Sequence, residues 1–339
     1  MTSSFDEIES QVFALEKEWQ AEHELPAGMK LYHFTSAEGL AGILNSGALW
    51  ATLATCLDDK HEIRAIPPLR HNPLIQSKPL PGYQDFWHLL SHKSRVDPDL
   101  DVVGAWQQAE GPFIVSFCAG RDWERVSNPH HWEKFGRGGR GYLLGFDYCQ
   151  SRDDLDRGSL RLRKVGYEET EAESRAGKIR ELERKIRFWR KDEHEDIKNQ
   201  IKDSDGWSGP LAAADYRANG AWERLHWLNL ELRACTKKRE FSIENEHRLL
   251  VSRPSAPTQT RSSGGALAVY VELPVGIPVP NKRGVRNRHG RTKRALVLRE
   301  IVFGPFSESR VSKAALQYIL GDEKLIKGAV EIHHCHQLT

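Results

Sequence analysis

Leu31-Tyr32-His33-Phe34-Thr35-Ser36-Ala37-Glu38-Gly39-Leu40-Ala41-Gly42-Ile43-Leu44-Asn45-Ser46-Gly47 reads as a short strand that runs directly into a capped helix. Leu31 to Phe34 are rich in strand formers. Thr35 and Glu38 make a capping-box pattern, in which the hydroxyl takes an orphan helix amide and the carboxylate reaches back. Leu40, Ile43 and Leu44 then form one apolar face at helical spacing. Gly47 fits the left-handed residue that closes a helix. His33 is thereby held just before a helix N-terminus, where unpaired amides and the helix dipole favour anionic ligand groups. A histidine in that place serves a ligand or merely hydrogen-bonds within a strand pair, and the segment alone leaves both readings open.

Upstream, Ser4 to about Glu24 reads as an amphipathic helix. Ser4-Phe5-Asp6-Glu7 is a capping box, and Ile8, Val12, Leu15 and Trp19 fall on one stripe. Pro26 and Gly28 end it, and the expectation is a helix packed on the main domain. Downstream, Asp58, Asp59, His61 and Glu62 have ligand types that suit magnesium or manganese. The plainer reading makes Asp58 a helix cap and the others the wet first turn that follows. Six prolines between Ile66 and Glu110 break any long element, so this stretch reads as a covering segment or lid. Phe113 to Cys118 and Tyr142 to Asp147 are strands. The Gly136-Arg137-Gly138-Gly139-Arg140-Gly141 run between them lacks the Lys-Ser/Thr ending of a phosphate loop and leads into a strand, not a helix. It reads as a flexible turn that carries Arg137 or Arg140 toward a ligand or solvent.

Glu168 to Lys202 reads as a long charged helix with a thin apolar stripe, and Ala212 to Thr236 as its partner in an inserted helical hairpin. Phe241 to Val251 reads as a single strand. Alternation then puts Glu244, Glu246 and Arg248 on one face, the carboxylates about 7 Å apart. That is a site for acid–base chemistry or an ion network. Leu267 to Leu273 and Ala295 to Phe303 are further strands. Between them, residues 281–294 are basic without one acidic residue; Arg286, Arg288, Arg291, Lys293 and Arg294 suit a phosphate backbone. No aromatic lies there to stack a base, and a solvated loop fits equally. A closing helix over Ser307 to Leu320 and a strand over Ala329 to Ile332 follow. The tail His333-His334-Cys335-His336 has soft-metal ligand types at a spacing that suits no compact site. No metal is expected.

The 339 residues, 39% hydrophobic and 28% charged, are enough for one large domain or two moderate ones. A net charge of +2 argues against a globally basic nucleic-acid-coating protein. The five cysteines form no C-x-x-C pair, which points to a reducing, cytoplasmic setting. Acidic residues stand where a signal peptide has basic ones, and no apolar run spans a bilayer, so no membrane association is expected.

Four stretches together resemble the bacterial domain-of-unknown-function 2971 (DUF2971) family: Leu31–Gly47 with Trp50 and Asp58-Asp59-Lys60-His61-Glu62; Phe113–Cys118 with Trp132-Glu133-Lys134-Phe135-Gly136 and Gly145-Phe146-Asp147; Phe241–Leu250; and Glu300-Ile301-Val302-Phe303-Gly304. Leu57 stands where that family usually has asparagine. Tyr-His on a first strand, a helix ending in glycine and a late Glu-x-Glu also resemble the ADP-ribosyltransferase superfamily. That resemblance implies NAD as a substrate. His33 would contact the nicotinamide ribose, with Thr35, Tyr32 and Ser116 nearby and an aromatic, Tyr142 or Trp132, stacked on nicotinamide. Glu246 would bind the ribose 2′-hydroxyl and Glu244 orient or deprotonate the acceptor. It also implies a toxin or phage-defence setting and, with the basic stretch, DNA or RNA as acceptor; an inhibitory partner protein is left open as a further partner.

The expected fold is α+β: a split, mostly antiparallel sheet resembling an ADP-ribosyltransferase fold. Its segments are an N-terminal helix (1–28), a first part of the α+β domain (29–167), the helical-hairpin insertion (168–239) and a second part (240–339). The expected function is NAD-dependent ADP-ribosyl transfer or NAD hydrolysis. The alternatives are a non-catalytic nucleotide or nucleic-acid-binding module, or a metal-dependent nuclease.

Overall fold

Ser4 accepts the Glu7 amide through Oγ at 3.3 Å and opens the first helix, α1 (Phe5–Glu22). A computed structural model describes residues 4–22, 25–57, 112–148, 160–200, 209–251, 258–263, 266–276, 296–307, 314, 316 and 330–335. After α1 come β1 (Lys30–Thr35), α2 (Ala37–Ser46), β2 (Ala48–Leu53) and β3 (Phe113–Gly120). Two short helices follow, α3 (Trp123–Val126) and α4 (Pro129–Lys134), then β4 (Tyr142–Tyr148) and β5 (Leu160–Lys164). The long helices are α5 (Glu169–Gln200) and α6 (Gly209–Ala234). The last strands are β6 (Glu246–Val251), β7 (Gln259–Ser263), β8 (Ala266–Pro274), β9 (Leu296–Phe303) and β10 (Glu331–His334). Three sequence readings lie outside the described residues: the Asp58–Glu62 cluster, the proline-rich stretch 66–110, and the basic stretch with Arg286, Arg288, Arg291, Lys293 and Arg294.

The helices α1, α5 and α6 form one compact unit, and the strands with α2, α3 and α4 form the other. The expected packing of the N-terminal helix is corrected here. Its buried Phe5, Ile8 and Val12 share a core with Ala176 and Ile179 of α5 and Leu225 of α6. Small alanines on the facing helices let the bulky stripe of α1 approach closely. Glu181 and Lys185 make the expected i, i+4 pair at 3.0 Å.

Among the described residues the sheet unit has ten strands along the path β10-β9-β4-β1-β3-β2-β8-β7, with β6 on β3 and β5 on β6. β9 and β10 run parallel and every other pairing of named strands is antiparallel, so the α+β, mostly antiparallel expectation holds. β3 is the centre. One edge pairs with β6 from Phe113 to Cys118. The other edge is shared. β1 pairs at Cys118, Ala119 and Gly120, and β2 pairs at Phe113 and Ile114. Continuing each register by two residues would set both Phe34 of β1 and Trp50 of β2 opposite Ser116. One position cannot take two partners, so β1 and β2 diverge there within the one sheet.

The junction from β1 to α2 forms as expected, with one correction. The N-cap is Ser36, not Thr35: Ser36 Oγ accepts the Gly39 amide at 3.1 Å. Thr35 remains in β1 opposite Tyr142, so its backbone is committed to the ladder. Gly39 is needed beside it, because a Cβ there would overlap the Thr35 hydroxyl. Gly47 closes the helix at φ 67°. The expected single strand Phe241–Val251 is also corrected. Arg239–Glu244 is a 3-10 turn, Asn245 is left-handed at φ 42°, and only Glu246–Val251 is strand. Asparagine is among the few residues that tolerate that conformation.

Removing the Ser36 hydroxyl is expected to cost about 1 kcal/mol. Urea unfolding of Ser36→Ala and Ser36→Asn checks this; the asparagine variant, which caps equally well, stays near the parent.

Candidate functional site

Seven of the eight residues of β3 are buried, and Ser116 is the exception. It is exposed at the middle of the central strand, where β1 and β2 part. His33 closes the back of this opening: its Nδ1 lies 2.9 Å from the Ser116 carbonyl oxygen and its ring 5.8 Å from that of Phe117. With the carbonyl accepting, Nδ1 carries the proton. On the Ser116 side chain's own face stand two aromatics. Phe34 is half-buried and edge-on to Trp132 at 5.0 Å. Trp50 is 38% exposed, rests against Tyr270 at 5.4 Å and lies under the Arg261 guanidinium at 5.4 Å. The Trp50 ring lies against Gly42 of α2, 3.5 Å from where a Cβ would sit, an ordinary contact distance. The opening therefore has a hydroxyl floor and an aromatic on each flanking strand.

Behind Ser116 the same face carries an ion pair. Register places Arg248 opposite Ser116 and Glu246 opposite Cys118. Arg248 donates to Glu246 from Nε at 2.8 Å and Nη2 at 3.2 Å, a two-pronged contact between buried side chains. Glu244 precedes the strand, its backbone carbonyl accepting from Cys118 Sγ at 3.5 Å. It sits in the 3-10 turn and pairs with Lys134 of α4. The Glu-x-Glu alternation is thus corrected, because the left-handed Asn245 rotates the chain between the two carboxylates. Both glutamates are buried and each faces a cation.

The other expected site residues are scattered. Tyr32 is fully buried and donates its hydroxyl to Glu300 at 2.9 Å; burial, with the Glu300 charge, raises its pKa. Tyr142 is buried against Phe303 at 5.4 Å. Trp132 is buried and donates its ring N–H to Ser127 at 2.6 Å. Both of these aromatics are buried in the sheet unit. Thr35 lies on the opposite face from Tyr32. His33 shares that face, so the imidazole and the Glu246 carboxylate point to opposite sides of the sheet. The structure brings His33 and Ser116 together and leaves Glu246 one strand away on the Ser116 side. Phe34 and Trp50 were missed as a pair. Both were visible as aromatics flanking the helix, but only the shared β3 edge sets them about one position.

Residues 131–249 match the model of a family described as "Protein of unknown function (DUF2971)". This covers about a third of the chain, from α4 to β6, and agrees with the resemblance read from the sequence. No curated protein and no solved structure matches the chain.

Two histidines of the opposite face are held below their ordinary pKa. Burial lowers His33 despite its bond to Ser116. Burial, with Lys164 opposite it in β5, lowers His247 from 6.5 to about 4. His247 is therefore neutral in the folded protein near pH 6, while the unfolded chain binds protons there. Stability is present above about pH 6.5 and falls as the pH drops toward about 4. For His247 the loss is on the order of 3 kcal/mol. Urea unfolding between these limits checks it, and His247→Leu is expected to flatten the slope.

Proposed function

We propose that the chain binds NAD in the opening of the sheet and transfers its ADP-ribose to an acceptor. The observation that carries this reading is the solvent-exposed Ser116 between Phe34 and Trp50. A planar base stacks on an exposed aromatic, a contact typically worth about 1–3 kcal/mol. The Ser116 hydroxyl both donates and accepts a ribose hydrogen bond. Arg248 and Glu246, a matched buried ion pair, lie behind the floor. His33, its Nδ1–H directed at a backbone carbonyl, orients the strand that walls the opening. This arrangement gives a physical basis for the ADP-ribosyltransferase-like reading of the sheet.

In the reaction the bond from ribose C1′ to nicotinamide breaks, and its electron pair leaves with nicotinamide. The sugar carbon becomes electron-poor, and a fixed carboxylate stabilises that charge more in the transition state than in the substrate. Glu246 is the carboxylate on the right face. The acceptor then adds at C1′ and loses its proton, the role assigned to Glu244. DNA or RNA is the acceptor class favoured by the basic stretch with Arg286, Arg288 and Arg291.

A second reading has one observation in its favour. Glu246 and Glu244 each face a cation, and a carboxylate neutralised by arginine stabilises a sugar cation less. The chain is then a module that holds a nucleotide or nucleic acid without turnover.

NAD binding by calorimetry and nicotinamide release, each with and without DNA or RNA, test both. The transferase reading expects release that needs no metal and is lost in Glu246→Gln with the fold intact by melting. Trp50→Ala is expected to weaken NAD binding about tenfold or more. Binding that survives Glu246→Gln, with no release by either protein, establishes the module. No NAD binding at all overturns the proposal.

A further inference from the structure

The edge of the sheet formed by β9 and β10 holds a polar cluster that the opening at Ser116 does not use. Their parallel register sets Glu331 directly beside Glu300 on one face, with His333 two residues further along β10. Neighbouring strands are about 4.8 Å apart, and like charges opposite one another destabilise a sheet. Such a pair calls for a cation. Ligand atoms of Glu300, Glu331 and His333 all lie within 4.8 Å of one another. The imidazole Nε2 is itself buried, yet it makes no hydrogen bond although Glu331 Oε2 is 3.3 Å away. With its proton on Nδ1, that nitrogen, 3.3 Å from Glu331 Oε2, offers a lone pair to a metal held between the two carboxylates. We propose that Glu300, Glu331 and His333 form a binding site for a divalent transition-metal ion, zinc being the best match to one imidazole and two carboxylates.

The surroundings are those of a supported ligand set. Glu300 is buried, and the Tyr32 hydroxyl donates to its Oε2, fixing the carboxylate as outer partners do in metal centres. Gly145 makes this possible: a Cβ there would lie 2.9 Å from both Glu300 Oε2 and the Tyr32 ring. Trp123 covers the His333 ring at 5.7 Å. Glu331 is exposed, which leaves an entry path. Lys30 is the competitor. Its ammonium pairs with Glu300 from a partly exposed position, so it can swing out when a metal enters. The neighbouring His334 turns away and stacks on Phe303 at 4.7 Å, and Cys335 is buried beside Ser127. His333 is the one residue of His333-His334-Cys335 that joins the cluster, which adjacent spacing in the sequence hides.

The test is titration of the full chain with Zn2+ alone, by calorimetry and by thermal melting, with Mg2+ as the comparison ion. One Zn2+ per chain is expected, without competition from equimolar Mg2+. Glu331→Gln and His333→Ala, both on the accessible side, are expected to weaken binding tenfold or more, and His334→Ala to leave it unchanged. Lys30→Met is expected to bind Zn2+ more tightly and to gain more melting temperature from it than the parent. The last two results separate the site from loose capture by the histidine-rich tail. No Zn2+ binding, binding unaffected by Glu331→Gln and His333→Ala, or binding lost in His334→Ala overturns the proposal.

Discussion

One edge of β3 serves two strands, and the sheet unit is arranged around that competition. β1 takes the end near Cys118 and β2 takes the end near Ile114. α2 joins the two strands and is fixed at both ends, by Ser36 and by Gly47. Its ten residues span about 15 Å, so β1 and β2 leave the helix at opposite ends and reach β3 at different places. Ser116 is exposed because neither strand can cover it. A central strand with a solvent-exposed side chain has burial to gain from a ligand.

The two faces of the sheet differ in their electrostatics. One carries the buried Glu246–Arg248 pair and the Glu300, Tyr32 and Lys30 group. The other carries Leu31, Phe117, Leu144 and Leu249, with His33 and His247 among them. Burial makes the charged state of a lone histidine expensive, so the apolar face lowers the pKa of both. A charge on the polar face needs a partner at contact distance, because removing one member of a buried pair leaves a penalty of several kcal/mol. Arg248 matches Glu246, and Lys30 matches Glu300 beside the second carboxylate of Glu331.

What was legible in the sequence follows from which interactions are local. The strand and helix at Leu31–Gly47, the stripe of α1, and the pairing of α5 with α6 rest on spacing within one segment, and all appear as elements. The N-cap moved by one residue because Thr35 is held by its ladder partner Tyr142, a non-local constraint. Phe241–Val251 looked like one strand because Glu-x-Glu alternates, yet the chain turns at Asn245. The site was partly legible. His33 and Ser116 were named and do meet, whereas Phe34 with Trp50, and Glu300 with Glu331 and His333, are brought together only by strand register. Polar residues on separate strands leave no periodic trace in a sequence.

The central claim is that the opening at Ser116 is where a nucleotide binds. Amide hydrogen exchange of the full chain with and without NAD addresses it most directly, because exchange reports where backbone groups become protected. The account predicts slowed exchange at Phe34–Ser36, at Trp50 and at Val115–Phe117, and little change in α1, α5 and α6. Protection confined to the helical unit, or none at saturating NAD, would contradict it.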